Sequence, residues 1–535
     1  MELPRSQLPF SRPESTRGNV SNMDIDPGTR SFQQEVEHLT QNVRHVYRRP
    51  DLIGLDIFLK TAAKPTPDNG TRSQYEEEED TDKFAVVHEL RTGSTAPLGP
   101  SPTSLATFPD KDAIPKSTVL FLRGYATPEW LTELANEHSI SADLYGRHLQ
   151  YITSTLAGRD LHSSPSLPSS SARVFQLRIP TICFSDDGSI SYEPEDLQRA
   201  RGKESDAMNK YLLQLRSKAN VADSIVRECH LLSKQERVLE QTATVEVGPP
   251  GDSWRAVVWL DCGLDLSRSV RGVEKPWDPP VTSLSWQTYF FPVIVHPTSG
   301  TYTPTLDSTA ATSPRAASPP TGPEMTRLSN ASVVGWKASQ NVCLLPFQYG
   351  SRLDRDLASE DALYALSELF QFAASAEQQF LNFIHHRIER ELSFIGFERG
   401  LSNHEVSLVN LRYIKGILKR HEQSLAETSN MLENRSSLDW PRVSSASTRA
   451  GKAEQTANLL LTDFKYLLQR AESLARECEQ GMATLANTAV LEESRRTVDM
   501  GMRVERLTMI ATVFIPLSQM STVDFMDHED YKAHI

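Results

Sequence analysis

The feature that most constrains this chain is a helical stretch from about Gly451 to Phe514, whose end reads RVERLTMIATVFIPLSQMSTV. Apolar side chains recur at Leu460, Phe464, Leu467, Ala471, Leu474, Cys478, Met482, Leu485 and Ala489, in steps of four and three that share one helix face. The spacing is mostly heptad-like. Cys478 to Met482 adds a second consecutive step of four, a local stutter in any supercoil. Unbroken, at ~1.5 Å per residue, such a helix reaches roughly 95 Å, beyond what a compact single domain usually holds. The expectation is a stalk or arm whose stripe buries against partner helices in an oligomer.

The stretch changes character near its end. Polar and charged residues dominate as far as Arg506, whereas Leu507 to Val523 is almost free of charge and carries Met509, Ile510, Val513, Phe514, Ile515, Leu517 and Met520. Apolar surface then runs all the way round, as in a helix leaving water for a bilayer or a bundle interior. A spanning helix needs ~20 apolar residues. This run is shorter, contains Gln519, and is followed by Asp524, Asp527, His528, Glu529 and Asp530, which are costly in hydrocarbon. It reads as the first part of a transmembrane helix over 507–523.

The segment Val504 to Ser518 (VERLTMIATVFIPLS) resembles the junction between stalk and first membrane helix in CorA-like divalent-cation transporters, especially their divergent fungal members. Arg503, Arg506, Leu507, Thr508, Ala511, Phe514 and Pro516 are the junction residues in that reading. The resemblance implies a Gly-Met-Asn signature further on, and the register places it at Phe525, Met526 and Asp527, where the methionine alone matches. It further implies a second membrane helix, which the sequence to Ile535 does not hold, so the chain is expected not to conduct by itself. Magnesium is the implied ion, transported or regulatory, with no ligand residues assigned. The implied partners are further copies of the chain or intact CorA-like relatives, with membrane contact at the C-terminal edge and the bulk of the chain cytoplasmic. Were the chain truly truncated, it would be expected as a soluble cytoplasmic protein.

At 535 residues the chain has length for about two or three folded units, and 39% hydrophobic residues permits substantial cores. A formal net charge of −13 argues against a nucleic-acid role, because no broad basic composition is present to neutralise phosphates. The five cysteines, at 183, 229, 262, 343 and 478, have neither CxxC nor metal-ligand spacing, which suits a cytosolic chain. The N-terminus MELPRSQLPFSRPESTRG lacks the apolar core of a secretory signal.

In chain order, 1–116 is expected as a largely disordered leader. It contains a short helix over Ser31 to Tyr47, a strand or helix continuation over Asp51 to Leu59, and an acidic run at Tyr75 to Asp80 that reads as solvated linker. Residues 117–300 are expected to form an α/β or α+β domain. Ser117 to Arg123 is its first buried strand, Gly124 to Ala126 a turn, and Thr127-Pro128-Glu129-Trp130-Leu131 a helix start. This segment, with Leu144 to Leu149, resembles the same family again. Trp130 and His148 read as core residues. Further strands are expected at Arg173 to Pro180, Thr181 to Phe184, Ser253 to Leu260 and Ser285 to Val295. Ala207 to Glu240 is helical in tendency, with strands inside Ser224 to Val247 as the alternative.

Residues 301–334 form a Ser/Thr/Pro-rich flexible insert, with Ser313 and Ser318 before prolines as weakly specified phosphorylation positions. Residues 335–436 are a helical region with apolar faces through Leu366, Phe370, Ala373, Phe380, Ile384, Ile388 and Leu392 and through Val406, Val409, Tyr413, Ile417, Leu418, Leu425 and Leu432. The stalk helix follows over 451–506. His385, His386 and Glu389 sit one turn apart, but with no third ligand they read as a solvated helix face. Glu360, Asp361, Glu368 and Glu377 serve to neutralise nearby bases. There is no GxGxxG, no P-loop and no assembled acid, base and nucleophile, so no enzyme is expected. The alternatives to a transporter chain are an oligomerising scaffold or modulator of intact relatives and, behind it, an uncharacterised enzyme.

Overall fold

In the computed structural model the described residues are 31–41, 46–61, 84–91, 94–98, 117–138, 140–152, 167, 172–186, 194–251, 253–266, 269–270, 272–278, 287–296, 341–393 and 401–530. Eight strands form one mixed sheet: β1 Ala85–Glu89, β2 Ser94–Leu98, β3 Thr118–Arg123, β4 Val174–Asp186, β5 Glu228–Leu231, β6 Glu236–Val247, β7 Arg255–Leu260 and β8 Gln287–Phe290. The order is β2-β1-β3-β7-β6-β4-β8, with β5 also paired to β6. The pair β3–β7 is parallel and the other described pairs are antiparallel.

Both faces of the sheet are covered, and the strand alternation decides which residue meets which cover. Val119 and Phe121 of β3 and Ala256, Val258 and Leu260 of β7 face one core; Leu120 and Leu122, with Val257 and Trp259, face the other. The second core is closed by α1 Phe32–Gln41, α2 Ile53–Leu59, α3 Pro128–His138, α4 Ala142–His148 and α5 Pro194–Lys218. The first is closed by the short α6 Leu345–Gln348 and α7 Arg355–Glu360, then by three long helices, α8 Ala362–Ser393, α9 Leu401–Glu433 and α10 Ala450–Asp530. The result is an α+β sheet domain followed by a region of long helices.

Local sequence explains most boundaries. At the end of β3 the chain turns at Gly124, whose φ of +65° and whose missing Cβ, which would lie 2.3 Å from the Asp223 carbonyl oxygen, both require glycine. Helix α3 begins at Pro128, a favoured first helical residue. Strand β4 runs through Pro180 because β8 pairs only from Cys183 onward, so the proline's missing donor faces an edge with no strand.

The structure departs from the sequence reading in some places and decides between open alternatives in others. Within 1–116, α1, α2, β1 and β2 join the fold, with Phe32, Val36, Leu55, Phe58, Val86 and Val87 buried, so the sheet domain draws on residues before 117. Of the two readings open for Asp51 to Leu59, strand or helix continuation, the chain takes a helix, α2, separate from α1. Helix α5 ends at Lys218, and beyond it the strand alternative inside Ser224 to Val247 is the one that forms, as an antiparallel hairpin of Glu228–Leu231 and Glu236–Val247. Alternation in VLEQTATVEV favours a strand buried on both faces over a helix. Cys262 and Cys343, 81 residues apart in sequence, are brought together by the fold: their sulfurs lie 2.6 Å apart, between the end of β7 and the start of the helical region. The acidic run at 75–80 and the insert at 301–334 lie outside the described residues.

Helix α10 spans 81 residues and contains Pro516. Its stripe is buried inside this chain: Leu460, Phe464, Leu467, Ala471, Leu474, Cys478 and Leu485 enter the core with α8 and α9, Met482 packs at its edge, and Ala489 is half-buried. Phe464 meets Phe370 edge to face with centroids 6.0 Å apart. The partner helices expected from another subunit are thus supplied here by the preceding two helices. No helix among the described residues is long and apolar enough to cross a membrane.

Candidate functional site

Between the sheet and the long helices lies a line of buried charge. The β5–β6 hairpin builds its first part. Glu228 sits directly opposite Glu240, and His230, two residues on, shares Glu228's face and lies diagonally beside Glu240. Glu240 points toward the long helices because it alternates with Leu239, which enters the opposite core. From the helix side, α9 supplies Arg420 and His421, and α8 supplies Glu377.

The contacts run continuously from surface to interior. His230 Nε2 lies 3.3 Å from Glu228 Oε2 and 2.6 Å from Glu240 Oε1. His421 Nε2 lies 3.2 Å from the same Glu240 oxygen, and its Nδ1 lies 2.8 Å and 3.0 Å from the two oxygens of Glu377. Arg178 of β4 donates to the other oxygen of Glu240. The His421 ring stacks on Phe380, one turn beyond Glu377 on α8, with centroids 4.1 Å apart. Arg420 Nη2 stands 3.1 Å from Glu228 Oε2 and 3.2 Å from His230 Nε2. A cavity of about 10 Å³, room for one water, lies beside Arg178, Glu377 and His421.

Burial and pairing set the protonation states. Burial works against charge on His421, but Glu377 and Glu240 outweigh it and raise the imidazole to about 9. With a carboxylate on each nitrogen, the ring is an imidazolium donating from both. His230 is raised in the same way, with Glu240 and Glu228 overcoming its burial. Burial likewise opposes charge on Glu240, yet His230 and His421 hold its carboxyl well below the usual range. Among the described residues, Glu228, His230 and Glu240 are the group of three whose potential metal-ligand atoms all lie within 4.8 Å of one another.

A second buried histidine has a different character. His148 stacks on Trp259 with centroids 4.0 Å apart, its Nδ1 meets Thr244 Oγ1 at 2.9 Å, and its Nε2 is 3.3 Å from Asp261. Asp261 is held at both oxygens by Arg227, at 2.6 and 3.0 Å. Burial, with Arg227 adding to it, keeps His148 neutral. It is a core residue, as is the fully buried Trp130.

The residues singled out from sequence fall elsewhere. His386 Nδ1 and His385 Nε2 reach Glu389 at 3.1 and 3.3 Å on an exposed part of α8. Glu377, read as one neutralising acid among several, is the partner of His421. The junction residues Arg503, Arg506, Leu507, Thr508, Phe514 and Pro516 are exposed on α10, and Ala511 is half-exposed. Phe525, Met526 and Asp527 continue the same helix, their side chains outside the described residues. Glu228, His230, Glu240 and His421 were missed by motif reading. One local signal was present, Glu-Cys-His at 228–230, which on a strand places the acid and the imidazole on one face. Comparison with protein-family models, with curated proteins and with solved structures found no match.

Proposed function

We propose that this chain is the cytoplasmic and stalk portion of a CorA-like divalent-cation transporter subunit, with magnesium as the ion and no catalytic role. The observation that supports the reading is α10 itself. It starts packed on α8 and α9 against a sheet domain and then runs on alone, with every large apolar side chain from Val490 to Leu517 exposed. Covering such a surface gains ~25 cal/mol per Å² removed from water, so a rigid arm of this kind suits a bilayer or a ring of equivalent helices. Arg495, Arg496, Arg503 and Arg506 precede the apolar run, where they can meet anionic headgroups, and Glu492, Glu493, Asp499 and Glu505 moderate that attraction. In this reading 507–523 is the beginning of a first membrane helix, and Phe525, Met526 and Asp527 stand where the family signature would be.

The run at 507–523 is shorter than the ~20 residues a crossing requires, so these 535 residues act with intact relatives and do not form a pore alone. The proximal stripe of α10 is already covered within the chain, which leaves the distal segment as the means of association. Two measurements test the proposal. In cells lacking related subunits, the chain alone should give no saturable magnesium uptake, while co-purifying with an intact relative when both are expressed. Protein-dependent uptake by the chain alone overturns the non-conducting reading. A chain ending at Arg506 should be recovered without detergent and the full chain only with it; equal recovery of both removes membrane association as the reason for the apolar terminus.

A further inference from the structure

Two sulfurs meet where the sheet domain passes into the helical region. Cys262 lies just past Leu260, the last residue of β7, and Cys343 lies in the short 3₁₀ turn Asn341–Leu344 that leads into α6. Their Sγ atoms are 2.6 Å apart. That is well inside ordinary van der Waals contact, and only about half an ångström beyond the ~2.05 Å of an S–S bond. Both cysteine segments are pinned. Ser224 Oγ accepts from Gly263 N at 2.7 Å and donates to the Leu264 carbonyl, which fixes the chain directly after Cys262. The fully buried Arg123, at the end of β3 and in register with Leu260, donates from Nη2 to the Gly263 carbonyl at 2.7 Å and to the Cys343 carbonyl at 3.4 Å. One guanidinium thus holds both segments, and it lies over the Phe347 ring of α6, 4.5 Å from the centroid.

We infer that Cys262 and Cys343 form a modification site, at which a small disulfide such as oxidised glutathione converts the pair into an intramolecular disulfide that fastens the helical region to the sheet domain. The inference does not rest on the transporter reading. The sulfurs are already in contact, and the backbone on each side is held by the same buried arginine, so the bond forms without moving either element. The remaining cysteines are placed otherwise. Cys229 Sγ meets Glu204 Oε1 at 3.5 Å, and Cys183 and Cys478 are fully buried on β4 and on α10.

The exchange runs in two balanced steps. Cys343, 6% exposed against 1% for Cys262, is the thiol that a disulfide in solution reaches first. Its thiolate attacks one sulfur of the small disulfide, forming a mixed disulfide and releasing one small thiolate. Cys262 then gives up its proton, attacks the Cys343 sulfur and expels the second. The two cysteines lose two electrons, the small disulfide gains them, and both cysteine protons end on the released thiols. Burial, with Cys343 beside it, holds the Cys262 thiol well above its usual range, and Arg123 offsets part of that. Cys262 therefore reacts by proximity to Cys343 and not by acidity. The new bond closes a loop between residues 81 apart in sequence and so restrains the unfolded chain.

The test uses the full chain in detergent, first reduced, then held with oxidised glutathione, and finally unfolded with an alkylating reagent for peptide mapping. The peptides bearing Cys262 and Cys343 should be found joined and should separate on reduction, while Cys183, Cys229 and Cys478 carry the alkyl group. At a fixed urea concentration within the transition, oxidation should lower the unfolding constant by about tenfold or more, and reductant should restore it. Cys343→Ala should give the same unfolding constant in both buffers. The proposal is overturned if Cys262 and Cys343 are recovered alkylated or carrying glutathione, or if either is joined to another cysteine. It is equally overturned if oxidation leaves the parent's unfolding constant unchanged, or if the variant responds as the parent does. Should Cys343→Ala not fold, the peptide map and the parent's own response to oxidation decide.

Discussion

The two halves of α10 are built from similar amounts of apolar sequence and end in opposite environments. From Ala453 to Leu485 most apolar residues share one face, which is closed by α8 and α9, with Phe464 only 3% exposed, while Leu459 and Tyr466 stand on the exposed side. From Val490 to Leu517 they occupy all faces, and Phe514 is 65% exposed. A stripe can be satisfied by two neighbouring helices of the same chain. A helix that is apolar all round needs to be surrounded, and two neighbours on one side cannot do that. The proximal half therefore belongs to the stability of the fold, and the distal half to whatever the fold meets.

The largest effect that could break this comparison comes from placing charge in each half. Phe464→Asp with Leu467→Asp should unfold the helical region. Loss of one large apolar side chain costs about 3–5 kcal/mol, and unpaired buried charge adds to that. Phe514→Asp with Leu517→Asp should leave the urea midpoint unchanged while abolishing detergent-dependent recovery. If both pairs shift the midpoint equally, the halves are not distinct.

Next in size is the charged seam beneath the proximal half. Replacing His421 with glutamine leaves Glu240 and Glu377 buried with less compensation, at a cost of about 3–5 kcal/mol near pH 6. The pH dependence sharpens the assignment. His421 is raised from 6.5 to about 9 in the fold, so its stabilisation is complete below about 6.5 and is lost as pH climbs through about 9. Glu240 acts oppositely: its lowered carboxyl contributes above its ordinary 4.5 and loses that contribution as the medium becomes strongly acid. The groups facing His421 are Glu377 from α8 and Glu240 from β6, with His230 and Arg178 beyond Glu240. Urea midpoints between pH 6 and 10 should fall for the parent and be flatter for His421→Gln. Parallel slopes would remove His421 as the titrating group.

Glycines provide the smaller pair of tests. A Cβ at Gly481 would lie 2.4 Å from Leu392 Cδ2 and 3.3 Å from Leu411 Cδ1, so Gly481→Val should overpack the apolar contact of α10 with α8 and α9 at about 1–3 kcal/mol. Gly501 has nothing within 4 Å of its absent Cβ. Gly501→Ala should therefore add about 0.5–1 kcal/mol of local helix stability. Slower hydrogen exchange near residue 501 with an unchanged midpoint would show that the distal half is energetically separate; a raised midpoint would show that it is coupled to the fold.

What could be read from sequence was periodic and local. The α10 stripe from Leu460 to Leu485, the strand at Thr118–Arg123, the helix start at Pro128 and the core positions of Trp130 and His148 all follow from repeats of two or 3.6 residues or from a cap and a turn. Such signals say which face is apolar, but not what covers it. Tertiary structure alone decided that α8 and α9 cover the stripe and that α1, α2, β1 and β2 belong to the sheet domain. It likewise decided that 228–247 is a hairpin, where a helical tendency and a two-sided strand compete within one stretch. The charged seam was the least legible. Glu377 and His421 are 44 residues apart in sequence, and His421 and Glu240 are 181 apart, so their pairing exists only once the sheet and the long helices have packed. Their charge states follow from that packing, because a carboxylate or an imidazole takes its proton affinity from what surrounds it, and its own sequence neighbours supply little of that.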